Sequence, residues 1–246
     1  MSATNRAPGR ISGDFYGTPR LYILAVLPEL MRHVPEGIRV GPIHDPCSGD
    51  GAILSALMAA GCPRESLSGN EIDPVLRMFC AMETGIVPTL GDYLNGPPPP
   101  PHGGPGLIVT NPPYSLALGF AERATAHVSP PGGIVALFLR LGFAASLERS
   151  EFHARNPARI LICNPRPSFA RFVKGGKTTT TDASEYAWFI YGLPPHLAGT
   201  WAHLDCRPAA VAARLAGAGF PVPEDMNGPP PPTIRDGAPP PWQEST

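Results

Sequence analysis

Between residues 38 and 139, short apolar runs alternate with helical stretches, an order that few architectures accept. Runs at 38–44, 67–71, 87–90, 107–110 and 133–139 read as strands, and 52–60, 74–84 and 116–127 read as helices. A strand reached by crossing back through a helix pairs parallel with its predecessor, and each crossover lays a helix on one face. The expectation is an α/β fold, a mostly parallel twisted sheet with helices on both faces. A further helix follows Pro19, where Leu21, Ile23, Leu24, Leu27, Leu30 and Met31 recur at near-helical spacing. Beyond 139 the alternation stops. Runs at 160–163 and 185–191 read as a C-terminal antiparallel hairpin flanking a polar, basic stretch, 164–184.

Composition sets the outer limits. The 246 residues fit one domain, expected at 14–220. A flexible lead, 1–13, precedes it, and a disordered proline-rich tail, 221–246, follows. The formal net charge of -1 excludes a global basic field, so any nucleic-acid partner needs a local basic surface. The 5 cysteines show no C-x-x-C spacing, and no histidine pair follows at zinc-finger spacing, so no metal is expected. They read as reduced thiols of a cytoplasmic protein. The N-terminal ten residues lack the apolar segment of a signal peptide, and no apolar run approaches the roughly 20 residues of a membrane span. A monomer or weak dimer is expected.

The chemistry-bearing residues gather where strands end. Asp45-Pro46-Cys47-Ser48-Gly49-Asp50-Gly51 closes the first strand and opens a helix. Gly49 and Gly51 permit a sharp turn and close approach to a ligand at a helix N-terminus. An acid ahead of the glycines suits a ligand ammonium better than a pyrophosphate, although an ordinary glycine-rich turn would look alike. Glu71, ending the second strand beside Ile72, can accept both hydroxyls of a ribose. Asp73 reads as the cap of the next helix, with Pro74 in its first position. Asp92 and Tyr93 follow the third strand, and Asn111-Pro112-Pro113-Tyr114 follows the fourth. Open α/β sheets bind ligands at these carboxyl ends.

Taken in order, these segments resemble the N6-adenine DNA methyltransferase family over about residues 14 to 191. Phe15-Tyr16-Gly17-Thr18-Pro19 resembles its N-terminal cofactor motif, 45–51 its glycine loop, Glu71 its ribose-binding acid and Asp92 its adenine-contacting residue. Residues 111–114 are similar to its catalytic tetrad. The resemblance implies a Rossmann-like fold and S-adenosylmethionine as cofactor. It implies cofactor contacts from Tyr16, Thr18, Pro19, Asp45, Pro46, Cys47, Gly49, Gly51, Glu71, Ile72, Asp92, Tyr93 and Asn111. DNA is the implied partner, and compact members of this kind are often phage or prophage encoded. The same tetrad also serves glutamine methylation in release factors and guanine N2 methylation in RNA, and a non-catalytic nucleic-acid-binding module of the same fold is the remaining alternative.

The residue types suit the chemistry. The adenine N6 amine is a poor nucleophile because its lone pair is delocalised into the ring. The Asn111 side-chain oxygen and the Pro112 carbonyl can accept its two N–H bonds and turn the lone pair outward. Pro112 and Pro113 stiffen that backbone, and Tyr114 can stack on a flipped base.

In 164–184, Phe169 of Arg166-Pro167-Ser168-Phe169 resembles the family's second base-packing aromatic, with Phe172 the runner-up and core packing the plain alternative. Arg166, Arg171, Lys174 and Lys177 beside 178–181 form a candidate phosphate-binding segment, or a solvated loop. If this stretch meets DNA, replacing Lys174 and Lys177 with alanine should weaken binding and lower its salt slope by roughly 0.9 per lost phosphate contact. An unchanged slope in a salt titration would assign it to bare solvent exposure.

Overall fold

The computed structural model describes residues 17–34, 42–96, 104–128, 132–173, 176–181 and 184–227, with the backbone alone at 169–173 and 176–181. The expected lead, Tyr16, Lys174 and residues 228–246 of the expected tail lie outside the described residues.

The order is α1 (Arg20–His33), β1 (Ile43–Asp45), α2 (Ala52–Ala59), β2 (Leu67–Glu71), α3 (Pro74–Thr84), β3 (Thr89–Leu90), β4 (Leu107–Thr110), α4 (Ala117–His127), β5 (Ile134–Arg140), α5 (Leu147–Arg155), β6 (Arg159–Asn164), β7 (Ser168–Val173), β8 (Gly176–Thr181), β9 (Tyr186–Tyr191), β10 (Trp201–Asp205) and α6 (Pro208–Gly217). Eight strands form one sheet in the order β10-β6-β9-β5-β4-β1-β2-β3, and β7 pairs with β8 apart from it. Every pairing in the large sheet is parallel except those of β9, which runs antiparallel between β5 and β6. From β1 the chain winds outward through β2 and β3, then crosses back to β4 on β1's other side. The loops after β1 and β4 therefore diverge at a topological switch point, where such sheets open a crevice.

Side-chain alternation divides the core between the two faces. Ile134, Ala136 and Phe138 of β5, with Tyr186, Trp188 and Ile190 of β9, pack under α1, α2 and α6. Val135, Leu137 and Leu139, with Ala187, Phe189 and Tyr191, pack on the opposite side under α4 and α5. Helix α1 is buried from Leu21 to Pro28 because it lies between the sheet and α2 and α6. The Trp188 indole donates to the Tyr22 carbonyl at 3.1 Å, and the Tyr22 hydroxyl donates to the Pro165 carbonyl at 3.1 Å, so α1 is tied to strands far along the chain. Helix α3 starts as expected: the Asp73 carboxylate accepts from Val75 N at 2.8 Å and Leu76 N at 3.3 Å, with Pro74 in the first turn.

Three expectations are corrected. The stretch 164–184 carries a hairpin, in which β-branched 178–181 pairs with the Phe- and Val-bearing β7. After Tyr191 the chain adds β10 beside β6, and α6 with Val211 and Leu215 buried one turn apart. Their apolar signal is weak because β10 exposes Trp201 and His203 at the sheet edge and α6 is mostly alanine. The third strand shrinks to two residues, while the helix expected at 116–127 is present as α4, entered through a 3-10 turn at Tyr114–Leu116.

Trp188 combines complete burial with the bond to α1. Trp188→Ala should cost about 3–5 kcal/mol, the range for an emptied aromatic core site. Trp188→Phe, which removes the donor and part of the volume, should cost less. Urea unfolding measures both, and equal costs would show that the aromatic volume retained in Trp188→Phe contributes nothing.

Candidate active site

The turn after β1 is held from beneath. The Asp45 Oδ1 accepts from Cys47 N at 3.1 Å, Ser48 Oγ donates to the Asp45 carbonyl at 2.9 Å, and Ser48 N donates to the Asn70 carbonyl at 2.9 Å. Gly51 stands at the N-terminus of α2 with φ +88°, where a Cβ would lie 3.0 Å from Cys80 Sγ and Thr84 Cγ2. Gly69, which no sequence reading singled out, is as constrained: a Cβ there would lie 2.0 Å from Ser48 Oγ. Its signal was a lone glycine inside a strand, which marks close backbone approach.

Glu71 joins this turn to the next strand. Its Oε2 accepts from Gly49 N at 2.7 Å, and its Oε1 accepts from Asp73 N at 2.9 Å. Asp45, Glu71 and Asp50 thus share one small region. Burial lifts the Asp45 carboxyl to a pKa of about 7 and Asp50 to about 6, and it raises Glu71 above the usual carboxylate range. Burial also pushes the Cys47 thiol up, with Glu71 and Asp45 adding to the effect. The Asp45 carboxyl is fully buried and has the Thr110 side chain as a hydrogen-bond neighbour. Such an acceptor, set among carboxylates, fits a ligand ammonium.

Ile72 is 62% exposed after β2 and Leu90 is 53% exposed at the end of β3, so each offers apolar surface at the carboxyl end of its strand. Asp92 braces its own turn, accepting from Leu94 N at 2.9 Å and Asn95 Nδ2 at 2.6 Å. Arg123 of α4 donates to the carbonyls of Leu94 at 2.9 Å and Gly96 at 2.6 Å, fixing that loop from outside.

The tetrad follows β4 directly. Asn111 Nδ2 donates to Thr18 Oγ1 at 2.9 Å, which turns Oδ1 the other way. Thr18 is buried ahead of α1, beside Pro19, so the N-terminal motif and the tetrad meet although they lie 93 residues apart. Tyr114 is half-buried, its ring 5.9 Å from that of Tyr186, with the Arg140 guanidinium 5.1 Å from its centroid.

The structure gathers Thr18, Pro19, the 45–51 turn, Glu71, Ile72, Asp92 and 111–114 at the carboxyl edge of the sheet. The Tyr93 ring lies elsewhere, in the core: 5% exposed, stacked on Phe120, its hydroxyl 2.8 Å from His127 Nδ1. His127 and His44 lie 5.8 Å apart there, a grouping invisible in the sequence, and burial lowers both pKa values to about 4. Arg166 is exposed ahead of β7. Phe169, Arg171 and Lys177 are placed by backbone alone, on paired strands of the hairpin. Among the described residues no group of three or more His, Cys, Asp or Glu could hold a metal, and no helix is long and apolar enough to cross a membrane.

No family model matches the chain, and no curated protein is similar to it in sequence. Solved structures are similar in fold. A methyltransferase subunit of a type I restriction-modification system from Streptococcus thermophilus superposes with a TM-score of 0.59 at 12% identity, over 84% of this chain and 53% of that one. The chain thus spans about half the length of that subunit. A candidate class I S-adenosylmethionine-dependent methyltransferase from Listeria monocytogenes gives 0.56 at 15% identity, over 82% and 70%. A candidate RNA methyltransferase from Pyrococcus horikoshii gives 0.52 at 12% identity, over 73% and 87%. The fold is the α/β, Rossmann-like fold of class I methyltransferases.

The Asp45 carboxyl, raised to about 7 from 3.8, is neutral more readily in the folded chain than in the unfolded one. A group raised on folding stabilises fully below its unfolded pKa, and that contribution is lost as pH climbs through the folded value. The Asp45 contribution should therefore fall away between about pH 4 and about pH 7, so that ligand-free wild type loses stability relative to Asp45→Asn across that window. Urea unfolding at both pH values checks this, and the same fall in both proteins would contradict it.

Proposed function

We propose that this chain transfers a methyl group from S-adenosylmethionine to the N6 amine of adenine in DNA. The observation that carries the reading is Asn111-Pro112-Pro113-Tyr114 at the carboxyl end of β4, with Asn111 hydrogen-bonded to Thr18 beside the switch point that the Asp45–Gly51 turn also borders. The residues present fit the cofactor: the buried Asp45 carboxyl among acidic neighbours suits its ammonium, Glu71 suits its ribose, and exposed Ile72 and Leu90 suit its adenine ring. When bound, S-adenosylmethionine supplies an electrophilic methyl group on a sulfonium.

This chain's own residues do the rest. The Thr18 bond sets the Asn111 amide so that its oxygen is the atom turned away from α1. That oxygen and the Pro112 carbonyl accept the two N–H bonds of the amine, localise its lone pair and aim it. No strong general base is needed, because what limits the amine is the direction and availability of the lone pair. Tyr114 forms the stacking wall for a base taken out of the duplex. The β7–β8 hairpin leaves β6 and rejoins β9 at the same edge as the tetrad, which suits it to the DNA-facing role read for its Arg and Lys residues.

Asparagine at the head of the tetrad favours adenine over cytosine, since cytosine N4 enzymes resembling this family mostly begin it with serine. Nucleoside mass spectrometry of treated DNA should find N6-methyladenine; N4-methylcytosine, or a methylated protein glutamine with unmodified DNA, would refute the reading. Two variants should separate the halves of the site. Asn111→Ala should leave cofactor affinity nearly intact, the side chain serving chiefly the amine, and lose on the order of a hundredfold or more in turnover. Glu71→Ala should weaken cofactor binding by about 1–3 kcal/mol.

A further inference from the structure

We propose that Arg140 is a positioning residue for the target base, acting through Tyr114. The inference rests on reading 111–114 as the base-binding tetrad. Arg140 is the last residue of β5, the strand beside β4, and its direct partner across the antiparallel ladder is Tyr186 of β9. From there its guanidinium carbon lies 5.1 Å from the Tyr114 ring centroid, and its Nε donates to the Tyr186 hydroxyl at 3.5 Å.

The second support is what lies under the ring. Tyr186 is fully buried, its ring 5.9 Å from Tyr114, and it stacks on Phe138 at 5.7 Å and 19°. Phe138 meets Trp188 at 4.9 Å and Tyr22 at 6.2 Å. Tyr114 sits in a short 3-10 turn and leans on this aromatic column. Arg140 is half-buried and closes the arrangement from the neighbouring strand. A stacking wall helps a flipped base only as far as its orientation is fixed beforehand, because rotamer freedom lost on binding weakens the complex. A planar guanidinium over an aromatic face holds it better than an ammonium of equal charge. Arg140 touches the ring that meets the base, not the reacting atoms.

The test joins a double-mutant cycle to a direct observation of the ring. Arg140→Met should raise KM for DNA roughly tenfold, the scale of a desolvated cation–π contact, with cofactor affinity unchanged. In a Tyr114→Ala background the same change should cost little more, because the loss passes through one ring. Arg140→Lys should recover less than half of the loss. Additive losses, or full rescue by lysine, would overturn the proposal, the second by assigning the charge to a DNA phosphate. In fluorotyrosine-labelled protein, the fluorine resonance identified by its absence in Tyr114→Phe should move in Arg140→Met, and a resonance that stays put would also overturn it. If the wild type leaves DNA unmethylated, the functional reading fails, and the fluorine comparison still decides whether Arg140 fixes Tyr114.

Discussion

The bond from Gly49 N to Glu71 Oε2, at 2.7 Å, is the joint on which the carboxyl edge of the sheet depends. A sharp turn after a three-residue strand has few backbone bonds of its own, and this one is pinned to the next strand by a buried carboxylate. The same carboxylate accepts from Asp73 N, so a single side chain fixes both the glycine turn and the start of the α3 approach. The arrangement has an electrostatic cost: three carboxyl groups share a buried region, and burial raises the pKa of each. A cationic ligand relieves that cost and an anionic one adds to it. Selection for charge is therefore built into the loop before any shape is considered.

The opposite half of the site is mechanical. The tetrad leaves β4 between two supports of different kinds, a hydrogen bond from Asn111 to Thr18 and an aromatic floor of Tyr186, Phe138 and Trp188. The first orients a polar side chain and the second limits the motion of a flat one. Both supports come from segments remote in sequence, the lead into α1 and the antiparallel strand β9. Proteins meet the need for preorganised acceptors by placing them on rigid elements whose neighbours are already packed.

Where local chemistry decides, the sequence was readable. The cap at Asp73 followed from the proline after it, and it is present. The Gly51 conformation followed from the turn it must make. Where long-range packing decides, the sequence was mute. Nothing near Tyr93 shows that its hydroxyl meets His127, and nothing near Arg140 shows Tyr114, the latter because that proximity arises from the β4–β5 and β5–β9 registers. Strand β10 escaped notice because half its residues face outward at the edge, and Gly69 because its reason lies in Ser48, a turn away in space.

The bond between Trp188 and Tyr22 spans 166 residues. On a ribosome adding roughly 5–20 residues per second, the partner of α1 emerges about ten to thirty seconds after α1 itself. Throughout that interval α1 has only part of its cover, from α2 and β5, and lacks the strand and helix that complete it. Thr18 rides at the head of that helix, and Asn111 waits for it. The nascent chain therefore carries its glycine turn and residues 111–114 well before the last of their supports, and the edge of the sheet is complete only when the late strands close over the first helix.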